Sequence, residues 1–203
     1  MIQICTLITT KNFATLIDRV DWMSKKELIL DVAESLFNRL GYTAVGVDMI
    51  RDEAAVSKTS MYRHFGSKAK LIEAVLARRH RRFESSLEAA LSSTSGLKNQ
   101  LNALLDWHFA WFEQPDFKGC MFMHALAEFK ESEDDIAMLS QQHKSWLKEL
   151  IVPLLSEKKP HDVRPEMMMV FLEGLIVRSE FQGSEANRQD YREVWLKLAG
   201  VTP

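Results

Sequence analysis

Between Ser57 and Lys70 the chain reads SKTSMYRHFGSKAK and holds no acidic residue. Lys58, Arg63, Lys68 and Lys70 are basic, and Thr59, Ser60, Tyr62 and His64 carry hydroxyl or ring donors. Such a surface suits a phosphate backbone, because each neutralised phosphate releases a counterion. Thr59, Ser60 and Arg63 are the candidates for base edges, since hydroxyls and guanidinium groups match the donor and acceptor patterns of a groove. A second set is apolar. Trp107, His108, Trp111, Phe112, Phe117, Met121, Phe122, His124 and Phe129 crowd one stretch with aromatic and sulfur surface. That composition fits a small-molecule pocket with a few polar handles, and it fits plain core packing equally. Few charges stand among them, so a mainly apolar or aromatic ligand is expected, with His108 or His124 orienting its polar group.

Other chemistry is thin. His124 and Glu128 are four apart and share a helical face, but two ligands do not close a zinc site. Cys120 follows Gly119, and a buried, inert thiol is the expectation. No nucleophile–base motif, Gly-rich phosphate loop or complete metal set is present, so no enzyme, cofactor or metal is expected.

The elements that must position these residues read as helices. Leu28, Val32, Leu36 and Leu40 repeat every four residues, and Gly41 stops them. Val47 to Glu53 fits a short helix with Ile50 and Ala54 inward. Ala55-Val56 fits a tight turn. Ser57 is the N-cap of a second short helix, Lys58 to Phe65, with Met61 and Phe65 inward. Two short helices joined by so short a turn make a helix-turn-helix. Ser67 caps a longer stripe through Leu71, Val75, Phe83, Leu87 and Leu91. Leu97, Leu101, Leu104, His108 and Phe112 form the next, ended by Pro115. Ile136, Leu139, Trp146, Leu150 and Leu154 form another, which Pro153 should kink or end. Pro165 suits the first residue of the following helix. Tyr191, Val194, Trp195 and Leu198 make the last. No segment of useful length alternates with period two. The chain is therefore expected to be all-α, with about nine helices.

GYTAVGVDMIRDEAAVSKTSMYRHFGSKAKLI resembles the amino-terminal domain of the tetracycline-repressor (TetR) family of bacterial regulators. The shared features are Gly-Tyr after the first helix, Val-x-x-Ile in the second, Ala-x-Val-Ser at the turn, Tyr-x-His-Phe in the recognition helix, and Ser-Lys-x-x-Leu opening the fourth. The match runs from about Lys25 to Leu76. The resemblance implies an all-α fold with an amino-terminal three-helix DNA-binding domain and a carboxy-terminal helical bundle for ligand binding and dimerisation. It implies that Tyr62 and His64 hold phosphates and that Lys68 grips one at the amino end of helix 4, which is an anion site by its own physics. Three departures stand out. Val45-Gly46 replaces the usual hydroxyl pair before helix 2. Ala55 replaces the turn glycine, at a cost of about 1 kcal/mol if its φ is positive. Lys58-Thr59-Ser60 replaces Lys-Gly-Thr and should alter operator preference.

Charge divides along the same line. Residues 23–90 hold 12 Lys and Arg against 9 Asp and Glu, and residues 91–203 hold 12 against 17. A basic end for nucleic acid and an acidic remainder is the pattern. The expected boundaries are an extension over 1–22, the helix-turn-helix domain over 23–66, a connecting helix over 67–92, and the ligand-binding and dimerisation domain over 93–203. Residues 1–22 either pack as a short helix, Phe13 to Trp22, or follow from an upstream start codon; a dispensable extension is expected, because the helical pattern starts after them.

Met167 to Val177, MMMVFLEGLIV, is apolar nearly all round, as a helix is when both faces are buried. One face should meet its own domain and the other a second subunit, with Gly174 allowing close approach and the last helix completing a four-helix bundle. RRHRR at 78–82 is expected to be a solvated face. No apolar run reaches the roughly 18 residues of a membrane span, so no membrane partner is expected. Two cysteines make no disulfide framework, and the start MIQICTLITTKNF lacks a basic region and a cleavage site. A cytoplasmic protein follows from these. The sequence thus points to a dimeric regulator, expected to be a repressor, that binds a palindromic double-stranded operator and is released by a small apolar or aromatic effector. The alternatives are a DNA-binding protein without an inducer and a helical enzyme.

Overall fold

The computed structural model describes residues 10–155, 162–182 and 188–202. The chain divides into two compact units, Met1–Ala74 and Val75–Pro203. All regular structure among the described residues is helical: α1 Thr10–Leu40, α2 Val47–Glu53, α3 Lys58–Phe65, α4 Lys68–Ser92, α5 Leu97–Phe112, α6 Met121–Phe129, α7 Asp134–Ile151, α8 Arg164–Gln182 and α9 Arg188–Leu198, with a 3-10 turn at Val152–Leu154. No helix among these residues is long and apolar enough to cross a membrane.

In the amino-terminal unit, α1 is one helix that begins at Thr10, not near Met23 as its apolar pattern suggests. Part of the expected extension is therefore continuous with α1, and residues 1–9 lie outside the described ones. The buried face of α1 is also shifted from the expected stripe. Ile29, Ala33, Leu36 and Phe37 are buried, whereas Leu28 and Leu40 are 45% and 50% exposed. Two apolar lines run along this helix, and the one that carries Phe37, which packs on Tyr42, is buried. The ring of Tyr42, 0% exposed, lies 5.1 Å from that of Phe37. Gly41 ends the helix at a φ of 82°, a conformation that side chains resist.

In the carboxy-terminal unit, α5 turns Leu101, Leu104, Leu105, His108, Phe109 and Phe112 inward, close to the expected stripe. The buried Trp195 of α9 donates its indole N–H to the Leu101 carbonyl at 2.8 Å, so a large ring is buried with its one polar atom satisfied. An Arg192–Asp106 ion pair joins the same two helices, and Arg188 of α9 pairs with Glu113 just after α5. On α7 the buried line is Ile136, Ser140, His143, Leu147 and Ile151, while Leu139, Trp146 and Leu150 are only half-buried. The apolar residues alone mark the wrong face there, because Ser140 closes its own hydrogen bond to the Ile136 carbonyl at 3.0 Å and so tolerates burial. The helix ends at Ile151, next to Pro153. Pro165 is the second residue of α8, not the first.

α8 has two faces. Met168, Met169, Leu172, Leu175 and Ile176 are buried. Met167, Val170 and Phe181 are 44%, 56% and 82% exposed, and Gly174 stands between them with nothing within 4 Å of the place a Cβ would take. Val194 of α9 is exposed as well.

Candidate nucleic-acid interface and effector cluster

The interface is built on α2, the turn after it, α3 and the start of α4. Gly46 caps α2 in extended conformation and makes no side-chain cap bond, as the missing hydroxyl requires. Ile50 and Ala54 are buried. The turn passes through Ala55 at a φ of 51°, the one non-glycine among the described residues with positive φ. Ser57 then accepts the Ser60 N–H at 3.1 Å and starts α3. Gly66 breaks α3, and Ser67 accepts the Lys70 N–H at 3.1 Å to start α4. Two hydroxyl caps thus fix two helix amino termini, each beside a lysine.

Met61 is buried and Phe65 half-buried, which anchors one side of α3. With about 100° per residue, Thr59 and Arg63 fall on the opposite side, one turn apart. Both are exposed, as is Lys58, and Ser60 is partly so. Lys58 pairs with Asp48 at 3.3 Å. Tyr62 is 45% exposed and lines one groove with Lys68, Ser67, Met61, Phe65, Val47 and Leu71. Lys68 donates to the Thr43 carbonyl at 3.4 Å. His64 is set apart from the others. Both of its ring nitrogens are shielded from solvent, and burial, then Lys26, Arg63 and Lys25, lowers its pKa. Its ring nitrogens thus face protein, whereas the Tyr62 ring is exposed.

The aromatic set is real as a cluster. Trp107, His108, Trp111 and Phe112 sit on α5, and Met121, Phe122 and His124 on α6. Phe83 of α4 joins them, its ring 5.0 Å from Trp107 and 5.1 Å from Trp111. Phe117 meets Trp111 and Phe112 at 5.1 and 5.2 Å. Trp107 donates its N–H to the Ser86 hydroxyl at 3.2 Å. His108 is buried with Nδ1 2.8 Å from the Leu104 carbonyl, and burial lowers its pKa to about 4. It is thus a neutral ring donating along its own helix. Met121 and Phe122 are each 1% exposed. His124 pairs with Glu180, Nε2 to Oε1 at 3.4 Å, and Glu128 is exposed. No group of three His, Cys, Asp or Glu side chains among the described residues could hold a metal. Cys120 is buried.

Four residues escaped the sequence reading. RRHRR is not wholly a solvated face: Arg81 and Arg82 are exposed, but Arg79 is buried and His80 reaches His143, Nδ1 to Nδ1 at 3.1 Å. Lys144 of α7 follows His143 in sequence. A signal was available, because Val75, Arg79, Phe83 and Leu87 are spaced by four and share one apolar stripe.

The profile of the bacterial regulatory proteins of the tetR family matches residues 29–75. The chain is 38% identical over 85 residues to the HTH-type transcriptional activator FasR of Mycolicibacterium smegmatis, a match covering 42% of this chain and 39% of that protein. The chain thus spans about two fifths of the length of that relative. The crystal structure of SCO4454, a TetR-family transcriptional regulator from Streptomyces coelicolor, superposes with a TM-score of 0.75 at 24% identity, over 87% of this chain and 93% of that one. The reduced form of NemR from E. coli gives 0.75 at 18% identity, over 86% and 97%. The likeness of fold thus extends well past the helix-turn-helix. Residues 29–75 are thus similar to the DNA-binding domain of the tetR family of bacterial regulatory proteins, and the fold of the chain is like that of solved TetR-family regulators.

Proposed function

We propose that the chain is a ligand-responsive repressor that binds a palindromic operator as a homodimer. The observation that carries this reading is the face of α3 opposite Met61, where Thr59 and Arg63 stand exposed one turn apart between two capped helix amino termini. In this reading Thr59 and Arg63 meet base edges in the major groove, and Lys58, Ser60, Tyr62 and Lys68 hold phosphates. His64 packs beneath them. The exposed apolar face of α8, with Val194 of α9, supports a twofold interface. Two α3 helices would then read half-sites about one DNA turn apart.

The effector is a small molecule held by the aromatic cluster of Trp107, His108, Trp111, Phe112, Met121 and Phe122. It acts by binding one arrangement of the dimer better than another, which shifts the population away from the DNA-binding form. The name of FasR, an activator, favours a second reading in which the bound regulator raises transcription.

Selection from random duplexes tests the reading. The native chain should enrich a palindrome, and Arg63→Ala should change the preferred base at one position of each half-site. No enrichment would sink the DNA-binding role, and an unchanged palindrome would sink the base-reading assignment. A reporter carrying the selected site decides the sign of regulation.

A further inference from the structure

An acidic side chain stands against the basic surface that begins at Ser57. Asp48 lies in the first turn of α2, with its side chain 60% exposed. Its Oδ1 meets two cations at once. The Arg51 guanidinium, one turn along the same helix, donates from Nη1 at 2.8 Å. The Lys58 ammonium, from the first residue of α3, stands at 3.3 Å. Arg51 also holds Asp52, Nε to Oδ1 at 2.7 Å. One carboxylate therefore ties α2 to the start of the helix that carries Thr59 and Arg63.

Within α2 alone, Asp48 serves the helix. Gly46 supplies no side-chain cap, so a carboxylate in the first turn complements the helix amino terminus. That service needs no contact with α3. The contact with Lys58 adds a consequence for DNA. Affinity for an arbitrary duplex comes almost wholly from charge, so a carboxylate beside a phosphate-seeking lysine lowers it. An exposed pair of this kind changes affinity by about fivefold or less, so Lys58 is weakened as a phosphate ligand and not removed. Lysine otherwise carries its charge on a flexible four-carbon stem that finds a phosphate on any duplex. An ammonium has three N–H donors. Lys58 can thus hold Asp48 with one and a phosphate with the others, and the phosphate must lie where the Asp48 contact leaves room.

Resting on the DNA-binding role proposed above, we propose that Asp48 is a specificity-determining residue of the interface that acts through Lys58. Its charge holds down binding to arbitrary duplex, and its contact fixes where Lys58 receives a phosphate once base contacts seat α3 on the operator. Arg51 holds the carboxylate from within α2, so Oδ1 does not follow the lysine outward. Asp48 is a positioning residue and needs no contact with DNA of its own.

The test measures the affinity of the full chain for the selected operator and for a random duplex of the same length, at one salt concentration. Asp48→Asn should bind the random duplex about three- to fivefold tighter and the operator within about twofold of the native chain, so the ratio of the two affinities falls. In a Lys58→Met background, Asp48→Asn should leave the ratio unchanged, because the contact is already gone. Both side chains are more than half exposed, so neither substitution threatens the fold. A role confined to the end of α2 would lower the melting temperature of Asp48→Asn and leave the ratio at its native value, which overturns the assignment. Equal gains on both duplexes would show repulsion without positioning, and a fall that persists in the Lys58→Met background would show that Asp48 does not act through Lys58. Either result overturns it as well. If the native chain prefers the operator in those cases, this assignment alone fails. A native chain that prefers no duplex overturns the DNA-binding reading and this assignment together.

Discussion

The ring of Phe122 lies flat on the imidazole of His143, their centroids 3.7 Å apart and their planes 9° from parallel. A ring held so tightly against hydrocarbon favours the neutral form. His143 and His108 both have pKa values far below that of an unfolded histidine, at about 2 and about 4, chiefly because burial disfavours the charged form.

Stability should therefore depend on acidity in a defined window. Below an unfolded pKa of about 6.5, the unfolded chain binds protons that the folded one refuses, so stability is full above that pH and falls beneath it. The contribution of His108 is lost by about pH 4, and that of His143 continues to decline toward about pH 2. At pH 5.5 each buried histidine should cost about 1.4 kcal/mol relative to neutral pH. Urea unfolding at pH 7.5 and 5.5 measures this, and His143→Gln should flatten the dependence. Equal pH dependence in both proteins would show that His143 charges freely in the fold.

The turn before α3 holds a local conflict. Ala55 adopts a φ of 51°, where its Cβ meets backbone that glycine avoids. Ala55→Gly should stabilise the amino-terminal unit by about 1 kcal/mol, since relief of this strain exceeds the added freedom of the unfolded chain. A destabilised variant in chemical denaturation would show that the alanine side chain contributes packing instead.

Gly119 carries a different constraint. At a φ of 83° it stands where an added Cβ would strike the Glu180 carboxylate, and the same carboxylate holds His124. Gly119→Ala should cost about 1–2 kcal/mol from the strained backbone and the displaced pair. The penalty should shrink in a Glu180→Ala background, where the clash is gone. An identical penalty in both backgrounds would leave only the backbone strain and remove Glu180 from the account.

Much of the interface was legible because its signals are local. Ser57, Ser67 and the apolar anchors Ile50 and Met61 act within one or two turns, so α2 and α3 begin and end at the expected residues. Ala55 carried its strain in its residue type. Tertiary competition was less legible. α1 offers two apolar lines, and only packing against the rest of its unit selects the one through Ile29 and Ala33. Arg79 lies in a run of charge that reads as a solvated face, yet it sits at a stripe position and is buried. His64 shares a motif with Tyr62, but its nitrogens turn away from solvent.

The α8 face supplies a test that a single chain cannot mimic. Nothing lies within 4 Å of a Cβ at Gly174, so a side chain there starts into open space in an isolated protomer. Two helices packed closely across a twofold axis would have no room for it. Sedimentation at micromolar concentration should give two chains for the native protein and one for Gly174→Trp, with helical content retained. A native mass of one chain, or an unchanged dimer in the variant, would remove α8 from the interface.

In the proposed reading α3 and the start of α4 hold DNA. The most direct measurement is affinity for the selected operator as a function of salt, for the native chain, Lys68→Ala and Tyr62→Phe. Loss of one ammonium–phosphate contact should flatten the logarithmic slope by about one for Lys68→Ala. Tyr62→Phe should weaken binding to every duplex without changing the slope, because it loses a hydroxyl and no charge. Native affinity and native slope in both variants would contradict the assignment of this surface to DNA.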